Sequence, residues 1–140
     1  MMRYGSTNST KATTFNFMFF GRFTQDYIAN QTIIPTKDTL LSDGWKLNSG
    51  SQLTRPINMD GYVNINSFIS YGMPLKGLKT NLNLDAGVNY SRTPGMINQF
   101  TNFANNYGLN AGVVLSSNIS ENFDFTLAYN GSYNVVKNTL

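Results

Sequence analysis

The chain reads as an all-β protein: an antiparallel up-and-down meander of about five long strands, forming part of a transmembrane β-barrel. Three observations lead there. Segments of ten or more residues alternate apolar and polar side chains with a period of two, which places them on opposite faces of a strand. Their polar positions hold Asn, Gly, Ser and Thr where a water-facing strand would hold Lys and Glu. Only 12% of the 140 residues are charged, roughly half the usual share, while 10 Phe, 8 Tyr and 1 Trp make the chain strongly aromatic.

Taken in order, residues 1–12 are expected to be a polar N-terminal tail with no secretory signal pattern, so an exported form would need a longer precursor. Residues 13–28 form the first strand, with Phe15, Phe17, Phe19 and Phe23 on one parity. Pro35, Asp38, Asp43, Gly44 and Gly50 punctuate residues 32–52, read as a long loop with a short strand near Trp45 to Leu47. Residues 53–73 make the second strand, in which Pro56 suits only an edge or a bulge. The Pro74 to Gly77 stretch then turns into the most regular strand, residues 79–92. After it, Pro94 and Gly95 signal a longer connection. Strands over 105–119 and 123–137 follow, joined by a tight Ser120-Glu121-Asn122 turn. All 140 residues are thus assigned to one partial barrel domain.

The composition of the polar face decides which two solvents these strands separate. A sandwich strand turns Lys, Glu and Arg to bulk water, whereas a membrane barrel strand turns an apolar face to lipid and small polar groups to a wet lumen. Lipid-facing positions are therefore Val63, Ile65, Ile69, Leu82, Leu84, Ala86, Val88, Leu109, Val113, Leu115, Phe125 and Leu127. Tyr71, Tyr90, Tyr107 and Phe123 fall where interfacial aromatic girdles belong, and Asn83, Asp85, Asn110 and Asp124 face the lumen. The expected location is the outer membrane of a Gram-negative-type bacterium, with outer-membrane lipid as a partner. A soluble β-sandwich or adhesin-like carbohydrate-binding module is the competing class, and detergent-free solubility would favour it.

Catalysis finds no support in the residues. With no His and no Cys, the chain lacks the common general base, thiol chemistry, disulfides and the usual zinc ligands. Asp38, Asp43, Asp60 and Asn48 do not follow calcium-loop spacing, so no metal or cofactor is expected. Asp26, Asp85 and Asp124 read as solvated lumen residues, and Arg92 as a group that ties down a loop. The ten basic residues are scattered, which argues against nucleic acid.

The runs YGMPLKGLKTNLNLDAGVNYSRTPGMIN and LNAGVVLSSNISENFDFTLAYNGSYNVVKN resemble the barrel portion of outer-membrane proteins related to TonB-dependent receptors, over residues 53–140 and more loosely over 13–31. That resemblance implies a barrel of many more strands, a plug domain inside it, and energised uptake through a TonB-type periplasmic partner. Bacterial barrels start at eight strands, and open edges cannot be satisfied in lipid, so about five strands are expected to join the remaining strands of a full-length protein. Replacing Leu84 by Lys should cost about 2 to 4 kcal/mol near the bilayer midplane, whereas Asn83→Ser should be nearly silent. Folding titrations in lipid that find both changes equally mild would place water on both faces.

Overall fold

The computed structural model describes residues 1–41, 44–120 and 123–140, except for the side chains of 118–120 and 123. The protein is all-β. Its strands are β1 (Met2–Asn8), β2 (Thr13–Thr24), β3 (Tyr27–Ile33), β4 (Thr39–Leu40), β5 (Lys46–Leu47), β6 (Leu53–Met59), β7 (Tyr62–Leu75), β8 (Thr80–Ile97), β9 (Phe100–Ser120) and β10 (Phe123–Asn138), with a 3-10 turn at Lys76–Leu78. Two compact units divide the chain: residues 1–21, 65–90 and 107–135 form the first, and residues 22–64, 91–106 and 136–140 the second.

In the first unit the strands are hydrogen-bonded in the order β1, β2, β7, β8, β9, β10. Among the described residues β1 pairs only with β2 and β10 only with β9, so both ends of this order are open edges. Residues 2–8 are a strand, not the expected polar tail, and pair antiparallel with β2 from Met2 opposite Phe19 to Asn8 opposite Thr13. Their sequence carries little apolar signal, but the ladder of β2 offers an unbroken row of backbone partners, and ladder bonds depend little on side-chain identity. Apolar side chains gather on one face of this unit, where Tyr4 and Phe15 place their ring centroids 6.1 Å apart.

The second unit is built on the hairpin of β3 and β6, antiparallel from Tyr27 opposite Met59 to Ile33 opposite Leu53. The expected strands over 13–28 and 53–73 are each interrupted, at Gln25-Asp26 and at Asp60-Gly61. The cause is local. Asp26 adopts a left-handed φ of 50° and Gly61 a φ of 96°, neither compatible with a continuing ladder. The Asp26 amide donates instead to the Asp60 carboxylate at 2.9 Å. β3 also makes a short parallel pairing with the end of β8, through Gln31 with Met96 and Thr32 with Ile97. This departs from a purely up-and-down order.

The connection after Arg92 differs from expectation as well. Pro94 and Gly95 lie inside β8, and the chain reverses at Asn98-Gln99, whose φ values of 48° and 72° define a two-residue primed turn. Asn98 suits the left-handed region and accepts the Ile34 amide at 2.7 Å. The longer connection expected after Arg92 is therefore a two-residue turn. Residues 34–52 do form a long connection, held by the small β4–β5 hairpin, a Lys46–Asp38 ion pair at 3.4 Å, and the Ser49 amide and hydroxyl donating to Asp38 and Thr36 at 2.9 Å each. Asp43 lies outside the described residues, as do Glu121 and Asn122 of the β9–β10 turn.

Gln99 supplies a direct check on the turn. A non-glycine residue pays about 1 kcal/mol or more in the left-handed region, so Gln99→Gly should raise the unfolding free energy by about 1 kcal/mol, read as a higher denaturation midpoint at unchanged slope. A lowered midpoint would mean that residue 99 does not hold a positive φ.

Candidate functional site

Two faces of the first unit carry the functional question. On the apolar face, β2 contributes Phe15, Phe17 and Phe19, β7 contributes Ile65, Ile69 and Tyr71, and β8 contributes Leu82, Leu84, Ala86, Val88 and Tyr90. Leu109, Val113 and Leu115 of β9 and Phe125 and Leu127 of β10 share the same parity. Ile69, Leu84, Val88, Leu109, Phe125 and Leu127 are exposed, with Val88 at 55% and Leu127 at 66%. Ile65, Leu82, Ala86, Val113 and Leu115 are half-buried. In the second unit, Val63 is half-buried too.

Of the tyrosines expected at a girdle, Tyr90 and Tyr107 meet with ring centroids 5.0 Å apart and planes tilted by 37°. Tyr71 is exposed. Phe123 opens β10, but its side chain is outside the described set.

The polar face is an interlock of glycines and short amides. Gly72, Gly87 and Gly108 are buried, and the space a methyl group would need at each is already filled from a neighbouring strand. A Cβ on Gly72 would sit 2.7 Å from the Thr14 hydroxyl and 2.8 Å from the Asn83 amide oxygen. At Gly112 it would meet both carboxylate oxygens of Asp85, at 2.6 and 2.7 Å, and the Asn130 amide oxygen at 2.5 Å. Asn110 covers Gly87, while Asn89 and Asn134 cover Gly108. Three of the four expected lumen residues, Asn83, Asp85 and Asn110, thus lie over glycines; Asp124 is simply exposed.

Sequence reasoning singled out the amides but missed their glycine counterparts. The signal was present in the alternating Asn106, Gly108, Asn110 and Gly112 of β9. The same face is not uniformly polar, because Met18, Phe20 and Phe68 border a recess of about 200 Å³ shared with Asn66, Asn89 and Asn110.

In the second unit polar groups are tied to structure. Gln31, 6% exposed, accepts from Arg55 Nε at 2.8 Å and donates to Met96 Sδ at 3.1 Å. Tyr27 and Tyr62 stack with centroids 4.3 Å apart and planes 8° from parallel. The Arg92 guanidinium lies 3.8 Å above the Phe103 ring, a cation–π contact that holds this arginine in place. Asn102 accepts from the Thr139 amide and hydroxyl and the Leu140 amide at 3.1 to 3.3 Å.

Among the described residues no cluster of acidic side chains could hold a metal ion, and no helix is long and apolar enough to cross a membrane, which has no bearing on strands. Comparison of the chain with family models, curated proteins and solved structures finds no match.

The interlock makes a coupled prediction. Gly87→Ala should destabilise by about 1 to 3 kcal/mol through overpacking against Asn110. Adding Asn110→Gly should recover most of that loss, leaving an interaction energy of about 1 kcal/mol or more in a double-mutant cycle. Strict additivity would mean that the two side chains do not share the site.

Proposed function

We propose that this chain forms part of the wall of an outer-membrane transport or receptor β-barrel of the TonB-dependent-receptor-like kind. One observation carries the reading. The first unit exposes a continuous face of large apolar side chains, while the buried hydrophobic set among the described residues is Ala29 alone, at 4% exposure. A sheet in water cannot keep such a face bare without association, whereas lipid solvates it at no cost. The opposite face supports a wet lumen, being lined mainly by uncharged amides and glycine with two carboxylates, Asp85 and Asp124, beside the apolar Met18, Phe20 and Phe68.

Strand length agrees with this reading. A barrel strand crosses the hydrocarbon in about 9–11 residues, and β7, β8 and β10, with 14, 18 and 16 residues, are each long enough to do so. The open edges at β1 and β10 call for the remaining strands of a full barrel, since unpaired N–H and C=O groups are costly in lipid. On the same reading, and by the resemblance of residues 53–140, the completed barrel encloses a plug domain and draws on a TonB-type partner for energised uptake. The location is the outer membrane of a Gram-negative-type bacterium.

A chain without cysteine allows a clean test by parity. Leu82→Cys, Leu84→Cys and Val88→Cys, refolded into vesicles, should react at least about tenfold more slowly with a water-soluble maleimide than Asn83→Cys and Asp85→Cys, because hydrocarbon disfavours the thiolate. Equal rates at both parities would favour the sandwich or adhesin-like reading.

A further inference from the structure

At the turn end of the first unit, a recess of about 580 Å³ opens between the β1–β2 turn and the β7–β8 turn. Its lining pairs two opposed chemistries. Met73, Pro74 and Leu75 are half-buried apolar walls and Leu78 is 65% exposed, while Lys11 and Lys76 bring one ammonium each. Both lysines are placed by backbone geometry. The Lys11 amide donates to Asn8 Oδ1 at 2.9 Å, fixing its turn ahead of Ala12 at a φ of 51°. Lys76 begins the 3-10 turn that Lys79 closes with a φ of 49°, its amide reaching the Lys76 carbonyl at 3.4 Å.

Neither lysine forms an ion pair among the described residues, where Lys46 pairs with Asp38 in the second unit. No carboxylate lines the recess. An occupant must therefore supply negative charge to two ammonium groups and apolar surface to Leu78 and Met73. Inorganic phosphate meets the first need and leaves the second unmet. A nucleic acid would bring more charge than two lysines offer and would find no aromatic stacking surface in this lining.

We propose that this recess binds an anionic phospholipid. The headgroup phosphate lies between Lys11 and Lys76, and the upper acyl chain lies against Leu78 and Met73. Lysine stems reach along apolar surface to put the charge at headgroup level, and each ammonium acts on phosphate as a compact point charge. The proposal rests on the membrane reading, because it places the turn end at a lipid interface.

The test uses the full chain, refolded in mild detergent and titrated with phosphatidylglycerol and with phosphatidylcholine, with bound lipid counted by native mass spectrometry. Wild type should prefer phosphatidylglycerol. Each lysine contributes about fivefold at an anionic surface, so Lys11→Gln with Lys76→Gln should lower that preference roughly 25-fold. Arg3→Gln with Lys37→Gln, which removes the same charge elsewhere, should leave it nearly intact. An equal fall in both double variants, or no preference in wild type, overturns the site while leaving the membrane reading standing. A chain that binds neither lipid and stays soluble without detergent overturns both. Displacement of phosphatidylglycerol by inorganic phosphate at equal concentration would also overturn it, since the apolar contacts would then add nothing.

Discussion

The backbone ladder is the interaction on which everything else in this structure depends. A conventional domain stacks two layers and buries apolar side chains between them, with area removed from water as the main stabilising term. Here the described residues bury one hydrophobic side chain, Ala29. What holds the strands in place is the pairing of N–H and C=O groups along long strands, together with whatever solvent meets the apolar face. Backbone pairing gains most where water cannot compete for it. A sheet of this kind therefore draws less on side-chain burial than a two-layered domain does, and its long ladders carry correspondingly more of the fold.

The two units handle polarity in different ways. The second surrounds each polar group with specific partners: Gln31 between Arg55 and Met96, Arg92 over Phe103, and Asn102 receiving three donors from Thr139 and Leu140. These contacts fix loops and strand ends where the chain leaves regular alternation. The first unit spends its amides on filling glycine-sized spaces across a broad face. Such a face is polar and carries few charges. A recess bordered by Phe20 and Phe68 interrupts it and gives that face a local apolar feature.

How much was legible in the sequence follows from which interactions are local. Alternation in residues 79–92 and 105–119 identified β8 and β9 and sorted their faces, because period-two patterning is written into neighbouring residues. Strand β1 was hidden, since its reason for being a strand is the edge of β2, not its own composition. Breaks at Asp26 and Gly61 were equally hidden: the hydrogen bond that accompanies them joins residues 34 positions apart. Pro94 and Gly95 suggested a turn on ordinary propensity, yet the reversal went to Asn98-Gln99, where Asn98 could reach both Thr32 and Ile34. The candidate site was half legible, its amides being visible and the glycines beneath them needing the neighbouring strand.

Those glycines bear on a problem that patterning leaves open. Sliding one strand past another by two residues keeps every apolar side chain on the apolar face, so binary alternation cannot reject that error. The large-and-small order of the polar face can. In the native alignment Asn110 lies over Gly87 and Asn89 over Gly108. After a two-residue shift, Asn would oppose Asn and Gly would oppose Gly, with a collision at one position and a hole at the next. The interlock thus works as a vernier, admitting one alignment from a set that binary patterning alone would treat as equivalent.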